Sequence, residues 1–380
     1  MALQAISGVS GYSAGDAFFP FDHEYYDQLS IGRPLLQVAG LDIFAGDALE
    51  NHANKVDDTT LLEFAAKFYE VALVLDVLRG AREQRTFRRA LDIASGPGLQ
   101  VRLLRLLGHV NNAEAIDIYD GSRRCGDPLL RSLARRLRLV FLAYRAQKLL
   151  PASVRRLVPR LERLNRKFPL GVEEFGRHPD ERPFGRRLRT GSSLSRYHVG
   201  DVFELEGRYD LVTSFMGLEY FDFTRLAAKV TSLLEPHGLF CYIVSYWWYP
   251  VNNTLLYGRF PYLTQQLRTD EVLDYYRTVH PEVPLSGVAR RLEYSDQGRP
   301  TIADYERIGY EQGLTPVASV RLHPNHHTNP RAIIGPLAID RRPPWNLERV
   351  LKGARRVNQS VGVADLMTSH VLMLFRRCDD

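Results

Sequence analysis

Hydrophobic positions in the first third of the chain follow two periodicities in succession. From Thr60 to Arg79 the apolar residues recur at the 3.6-residue spacing of a helix, and Gly80 is well suited to end it. Arg89 to Ala94 has the short apolar pattern of a strand, and a glycine-rich turn leads from it into a helix predicted over Gln100 to Leu107. The pattern therefore predicts a strand, a tight turn and a helix in that order.

The same alternation of strands and helices continues along the chain. Strands are predicted at Ala113–Ile118, Tyr197–Val199, Tyr209–Phe215, Leu239–Val244, Val317–Leu322 and His370–Arg376, and helices at Phe223–Leu234 and Ile302–Gln312. Such an order predicts an α/β fold: a doubly wound, Rossmann-like, mostly parallel sheet of seven strands with helices on both faces.

The predicted elements divide the chain into two parts. Residues 1–85 are expected to form an N-terminal cover of irregular segments and helices, because the first 55 residues are rich in glycine, aspartate and aromatic residues. Residues 86–380 are expected to form the Rossmann-like domain, with insertions at about 121–196 and 323–365.

The charge is concentrated in the first of these insertions. Residues 121–196 contain 20 Lys and Arg against 6 Asp and Glu, a net charge of +14, whereas the whole chain carries only +6. Two basic amphipathic helices are predicted there, at Leu129–Leu150 and Ala152–Phe168, interrupted at Pro151.

Several roles are open for this basic insertion. Packing on the main domain with a solvated basic face is the simplest, and a lid over a site is another. An acidic carrier protein, an anionic membrane surface or an anionic substrate would also match its charge. Nucleic acid is unlikely, because the remainder of the chain is net acidic and the insertion lacks interleaved aromatic residues.

Composition also bears on location. No apolar stretch approaches the roughly 18 residues that span a bilayer, and the N-terminus lacks the pattern of a signal peptide. The three cysteines are odd in number and far apart, which fits a reducing compartment. We therefore expect no transmembrane segment and a cytoplasmic location.

The turn Leu91–Gly98 is the first candidate for chemistry. In a doubly wound sheet, ligands bind beyond the carboxyl ends of the strands, where glycine permits close approach and a helix N-terminus favours an anionic group. Val101 stands where a dinucleotide fingerprint requires its third glycine. A dinucleotide is therefore disfavoured.

Two carboxylates follow later strands at positions suited to an adenosyl group. Asp117, near the end of the next strand, can accept hydrogen bonds from both ribose hydroxyls, with Asp120 as a rival. Asp201, in Gly200–Val202, can accept one from an adenine amine.

In this order the motifs resemble those of class I S-adenosylmethionine-dependent methyltransferases. The resemblance rests on the glycine turn, the two acids, the strand Tyr209–Phe215 and the turn Leu233–Phe240 that leads into another strand. It covers roughly 86–246 without the insertion. The family's first glycine is Ala94 here, and the second glycine of its later turn is His237.

The resemblance implies S-adenosylmethionine as cofactor and a role for each matching residue. Asp92 would orient the turn and contact the methionine ammonium, and Phe215 would lie near the methyl group. The implied cofactor-binding residues are Asp92, Ala94, Gly96, Gly98, Asp117, Ile118, Asp201, Val202 and Phe215.

Candidate catalytic residues follow the fourth and fifth strands, which face the methyl group in this fold. Glu219 and Tyr220 are expected to bind or deprotonate substrate, and Tyr246 to shape an aromatic pocket or stabilise the sulfonium. Metal binding is not expected, because the sequence at His323, His326 and His327 lacks a rigid helical framework.

The sequence thus predicts a methyltransferase that acts on a small molecule, in specialised metabolism. One alternative is an enzyme of the same fold that attacks the aminocarboxypropyl chain of the cofactor, including cyclisation by its own amine, and releases methylthioadenosine. A further alternative is an RNA-modifying methyltransferase, suggested by the basic insertion.

Overall fold

The computed structural model describes residues 3–6, 9–22, 58–83, 85–121, 126–135, 188–248, 259–260, 262–295, 299–322 and 345–378. The strands are β1 (Leu3–Ile6), β2 (Val9–Ala14), β3 (Ala17–Pro20), β4 (Phe87–Ile93), β5 (Val110–Asp117), β6 (Arg196–Val199), β7 (Tyr209–Phe215), β8 (Leu234–Ser245), β9 (Leu314–Leu322) and β10 (His370–Arg377). The helices are α1 (Asp58–Gly80), α2 (Leu99–Leu106), α3 (Phe223–Leu233), α4 (Leu263–Gln266), α5 (Thr269–Val279), α6 (Leu285–Ser295), α7 (Ile302–Glu311), α8 (Leu347–Val357) and α9 (Val363–Leu366).

Seven strands form one sheet in the order β6-β5-β4-β7-β8-β10-β9. Strands β4 to β8 run parallel to one another, whereas β10 is antiparallel to both β8 and β9. The predicted doubly wound, mostly parallel sheet of seven strands is confirmed. Its strand order reverses between β4 and β7, and at such a switch point the carboxyl ends of the strands open a crevice for a ligand.

The central strands are buried on both faces, because their side chains alternate between two cores. Leu91 and Ile93 of β4 belong to the core that also holds α3 and α7, and Ala90 points into the other core, which holds α1 and α2. Helices therefore cover both faces, as predicted, and hold the carboxyl edge of the sheet in place.

The first 20 residues differ from the prediction of irregular structure and short helices. They form a three-stranded antiparallel sheet, in which Gly15 and Asp16 make the two-residue turn between β2 and β3. Gly15 has φ +55°, a conformation that such hairpins require and glycine adopts without strain. Tyr12 and Phe19 bury this sheet against the core. The prediction was wrong here because the turn signal was overlooked.

The two predicted insertions fare differently. In the first, a helix is present at 127–135, and the rest of the two predicted basic helices lies outside the described residues. In the second, the described part contains α8 and the start of α9, and Val350 and Ala354 of α8 are fully buried. Within the described ranges, no helix is long and apolar enough to cross a membrane.

Candidate functional site

The glycine turn after β4 has a left-handed backbone at three alternate positions. Ala94, Gly96 and Gly98 have φ values of 51°, 52° and 66°. A methyl group at Ala94 is strained in this conformation, by about 1 kcal/mol. A Cβ at Gly217 would lie only 2.6 Å from the Ala94 Cβ. The methyl group at the family's first glycine position is thus accommodated by the lack of a side chain at Gly217.

The space beside the turn is open. A Cβ built on Gly96 would meet no heavy atom within 4 Å in the described parts of the chain. Helix α2 begins directly after Gly98, which makes no side-chain cap hydrogen bond. The backbone N–H groups of the first helical turn therefore face a region that favours an anionic group.

Asp117, at the end of β5, holds the turn in place. Its Oδ2 accepts a hydrogen bond of 2.8 Å from the Gly96 N–H, and its Oδ1 accepts one of 3.2 Å from the Tyr119 N–H. A carboxylate has about four lone-pair positions, so these two bonds leave capacity for a ligand's hydroxyl groups. The carboxylate and the glycine turn thus form one unit.

Large apolar side chains are exposed next to this carboxylate. Ile118, Tyr119 and Val199 are 64%, 45% and 59% exposed. Val199 lies next to Asp117 because the two residues are register partners on neighbouring strands. Apolar side chains left in water at the carboxyl edge of a sheet mark a binding surface for an apolar or aromatic group.

Asp201 and Val202 lie at the end of β6. The Asp201 Oδ1 accepts a hydrogen bond of 3.0 Å from the Phe203 N–H and so caps the 3₁₀ helix Val202–Glu204. Val202 is 4% exposed and packs in a core. Their contact with adenine stays a prediction.

Asp92 is completely buried under the turn. Its Oδ1 accepts a hydrogen bond of 2.8 Å from the Thr213 hydroxyl, whereas its Oδ2 has no hydrogen-bond partner among the described residues. Burial raises the pKa of Asp92 to about 8, against the effect of the Thr213 bond. Its roles in orienting the turn and in contacting the methionine ammonium stay predictions.

Helix α1 brings a further acid to this region, which the sequence did not single out. Glu70 is 4% exposed and pairs with Lys67 at 3.0 Å. Its Oε2 accepts a hydrogen bond of 2.9 Å from the side-chain amide of Gln100, in the first turn of α2. The feature of the sequence that comes closest to predicting this contact is its partner Gln100, a polar residue just after the glycine turn.

The segment after β7 contains three of the predicted residues. Phe215 is 6% exposed and packs in the core with α1 and α2. Glu219 is half-buried and Tyr220 is 40% exposed, in the 3₁₀ helix Leu218–Tyr220. The carboxylate of Glu219 contributes to the raised pKa of Tyr305, after burial as the main cause. Their contact with substrate stays a prediction.

Tyr246, predicted to shape an aromatic pocket or to stabilise the sulfonium, is buried instead. It is 1% exposed, its hydroxyl donates a hydrogen bond of 2.7 Å to Asp365, and it accepts one of 3.0 Å from the Ile302 N–H. Burial and the adjacent Asp365 hold the pKa of Tyr246 well above its ordinary value. The hydroxyl is therefore engaged in joining β8 to α7 and α9, which is a structural role.

The remaining candidates are quickly placed. His323, His326 and His327 lie outside the described residues. In the part of the chain that the structure describes, no group of three or more His, Cys, Asp or Glu is arranged to hold a metal ion.

No protein-family profile matches the chain, and no curated protein matches it. Solved structures do. A Galdieria sulphuraria protein assigned as a sarcosine dimethylglycine methyltransferase is 12% identical, with 82% of this chain and 85% of that chain covered and a TM-score of 0.38. Geranyl diphosphate C-methyltransferase from Streptomyces coelicolor, solved with Mg²⁺, geranyl diphosphate and S-adenosyl-L-homocysteine, is 11% identical, with 81% and 79% covered and a TM-score of 0.37.

An N-methyltransferase from Bradyrhizobium japonicum is 11% identical, with 82% of this chain and 97% of that chain covered and a TM-score of 0.34. At these identities and scores we base no functional argument on the neighbours. The functional argument rests on this chain's own residues.

Proposed function

We propose that this protein is an S-adenosylmethionine-dependent methyltransferase that acts on a small molecule. The observation that carries the proposal is the junction of the Gly96 turn, the Asp117 carboxylate and the exposed Ile118 at the switch point of the sheet. Each of these residues lies within three positions of the end of its strand. Together they supply three complementary surfaces: the turn backbone, a carboxylate and an apolar side chain.

The carboxylate and the apolar side chains fit a nucleoside. Asp117 would accept hydrogen bonds from the ribose hydroxyls, for which its free lone-pair positions suffice. Ile118 and Val199, both more than half exposed, would pack on the faces of the adenine ring. Asp201, at the end of β6, would accept from the adenine amine.

The amino-acid end of the cofactor fits the other side of the turn. The uncapped start of α2 favours its carboxylate. Its ammonium group would be stabilised by the acids Asp92 and Glu70, of which Asp92 has a buried oxygen without a partner in the described chain. A bound cation would favour the ionised form of Asp92, whose pKa burial raises to about 8.

When bound, S-adenosylmethionine supplies an electrophilic methyl group on a positively charged sulfur. The chain would orient the acceptor in line with this methyl group and exclude water, which supplies most of the rate of such a transfer. The half-buried Glu219 would hold a proton lost from the acceptor, and Tyr220 would bind the substrate. Met216 and Ser245, whose Sδ and Oγ lie 3.8 Å apart, would form the floor.

Finer aspects of the function follow from the sequence. We propose a cytoplasmic enzyme of specialised biosynthesis, because its N-terminal segments and insertions would enclose a modest substrate. The net charge of +14 in 121–196 supports an acidic carrier protein or another anionic surface as a partner of the insertion.

The proposal is tested by binding and by product analysis. Calorimetric titration with S-adenosyl-L-homocysteine should show one site per chain. Incubation with S-adenosylmethionine and a panel of small nucleophiles should release S-adenosyl-L-homocysteine, measured by mass spectrometry. Release of methylthioadenosine alone would instead identify attack on the aminocarboxypropyl chain. Absence of binding to both S-adenosylmethionine and S-adenosyl-L-homocysteine would overturn the proposal.

A further inference from the structure

Tyr197 of β6 connects the start of the basic insertion to the glycine turn. Its hydroxyl oxygen lies 2.5 Å from the Gly96 carbonyl oxygen and 3.0 Å from that of Tyr119. It also accepts a hydrogen bond of 3.1 Å from the N–H of Gly121, the first residue of the insertion. One side chain therefore contacts both the turn and the insertion.

The hydroxyl is suited to donate toward the turn. A tyrosine hydroxyl carries a single hydrogen, and the shorter of its two carbonyl contacts is with Gly96. Burial holds the pKa of Tyr197 above its ordinary value, so the group remains a donor at neutral pH. The Gly96 carbonyl is thus held from one side by Tyr197, while the Gly96 N–H is held by Asp117.

Gly121 is pressed directly against the same turn. A Cβ built on Gly121 would lie 2.2 Å from the Gly96 carbonyl oxygen and 2.9 Å from the Tyr197 hydroxyl. Real Cβ atoms essentially never come so close to backbone. By contrast, among the residues that the structure describes, a Cβ on Gly126 would meet only Pro128, at an ordinary contact distance of 3.7 Å.

The two ends of the insertion are joined by a second set of contacts. Asp127 accepts a hydrogen bond of 3.0 Å from the Ser193 N–H. Arg102 of α2 donates to the Ser193 hydroxyl at 3.1 Å and to the Pro97 carbonyl at 3.1 Å. Since Pro97 belongs to the turn, Arg102 links the end of the insertion to it, whereas Gly121 at the start of the insertion contacts it directly.

We propose that Tyr197 is a positioning residue: with Gly121, it sets the conformation of the Gly96 turn and couples the basic insertion to the cofactor site. This inference rests on the proposed function for the nature of the ligand, but its geometric part concerns the turn alone. Coupling of this kind is reciprocal. If a partner that binds the insertion strengthens cofactor binding, the cofactor strengthens the binding of that partner by the same factor.

Two variants and two matched controls test the inference. Y197F removes only the hydroxyl, and G121A adds only a methyl group. Their controls are Y310F, at a tyrosine of α7 that is 67% exposed, and G126A, where a Cβ has room. Each protein is titrated with S-adenosyl-L-homocysteine, and amide exchange is measured without ligand at Ser95, Gly96 and Gly98, whose N–H groups are all hydrogen-bonded.

We expect Y197F to weaken binding roughly three- to ten-fold, the change for one lost hydrogen bond, and G121A to weaken it more. Exchange should accelerate in the turn and remain unchanged in β8 and β10, which a general loss of stability would not leave untouched. Both controls should match the wild type.

The outcomes separate this inference from the proposed function. If the wild type binds S-adenosyl-L-homocysteine but Y197F matches it in affinity and in exchange at the turn, the positioning role is wrong and the function stands. If the wild type does not bind, the function is wrong, and exchange at the turn in Y197F still decides the role of Tyr197. If G121A fails to fold, Y197F alone decides.

Discussion

Two groups of large apolar side chains follow strands of the same sheet, and they differ in exposure. Ile118 and Val199, after β5 and at the end of β6, are more than half exposed, whereas Tyr246 and Trp248, after β8, are 1% and 0% exposed. The first group stands beside Asp117, which has lone-pair positions to spare, whereas the Tyr246 hydroxyl of the second group already donates to Asp365.

The difference separates an exposed apolar surface from a region that the fold fills with its own side chains. Exposed apolar area gains free energy when a ligand covers it, by about 25 cal/mol per Å², whereas buried area has none left to gain. The exposure therefore supports the proposal that adenosine binds at the β5–β6 edge, whereas the buried Tyr246 has a structural role. Ala94 and Gly217 lie between these regions.

The largest effect is expected at the β5–β6 edge of the sheet, where Ile118 and Val199 are exposed and which we call the open edge. Replacement of Asp117 by alanine should weaken binding of S-adenosyl-L-homocysteine by about 2–3 kcal/mol, roughly 30- to 150-fold, because both the turn and the ribose lose an acceptor. Calorimetry measures this effect, and D120A serves as control with an affinity near that of the wild type. A larger loss in D120A than in D117A would transfer the ribose role to Asp120.

Asp92, buried under the glycine turn, should make the free energy of unfolding depend on pH. Its folded-state pKa of about 8 exceeds the unfolded value of about 3.9, so the folded protein holds the proton more tightly. The contribution of Asp92 to stability therefore falls as the pH rises from about 4 to 8, and is constant above that range.

Denaturant unfolding at pH 6 and pH 8 checks this prediction. The wild type should lose roughly 2 kcal/mol more than D92N between these two values, since one pKa unit corresponds to about 1.4 kcal/mol. Equal losses in the two proteins would show that Asp92 has an ordinary pKa.

In the buried region after β8, Y246F should lower the free energy of unfolding by about 1.5–2 kcal/mol, because Asp365 loses the hydroxyl that donates to it. Affinity for S-adenosyl-L-homocysteine should stay unchanged. The exposed Tyr220 provides the contrast, with Y220F expected to affect turnover and not stability. Weaker binding in Y246F without loss of stability would break the comparison between the two regions.

Between the two regions, G217A should destabilise the protein by about 1–2 kcal/mol, because its Cβ would overlap the Ala94 methyl group at 2.6 Å. The double variant A94G/G217A should recover most of this loss. Thermal or denaturant unfolding of the two single variants and the double variant measures the coupling. Additive effects would mean that the two positions do not share one space.

The smallest effect is expected at the apolar part of the open edge. I118S should weaken binding of S-adenosyl-L-homocysteine by about 0.5–1 kcal/mol, through the loss of apolar area covered by adenine. V363S, at an exposed apolar residue of α9, is the matched control and should bind like the wild type. No difference between these two variants would remove Ile118 from the proposed adenine surface.

The sequence predicted the fold well where the signal is local. Strand β7, Tyr209–Phe215, was predicted to the residue, and α1, predicted as Thr60–Arg79, runs from Asp58 to Gly80. The hairpin at Gly15 was missed, although its two-residue turn is a recognised signal, because its strands are short and rich in aromatic residues.

For the site, the sequence predicted the positions along the chain better than the contacts. Asp117 and Gly96 were selected separately, and the structure joins them by a hydrogen bond of 2.8 Å. Tyr246 was selected because it follows a strand end, but its burial depends on α7 and α9, which come much later in the chain. Glu70 and Tyr197 carry no local signal and were missed.

The sequence by itself determined the alternation of strands and helices, the turn after β4 and the order of the acids, because each depends on periodicity or spacing within a few residues. Only the tertiary structure determined which side chains meet. Gly96 and Tyr197 are 101 positions apart, and Glu70 and Gln100 are 30 apart. Such pairs depend on which strands and helices become neighbours, and that is set by the whole core.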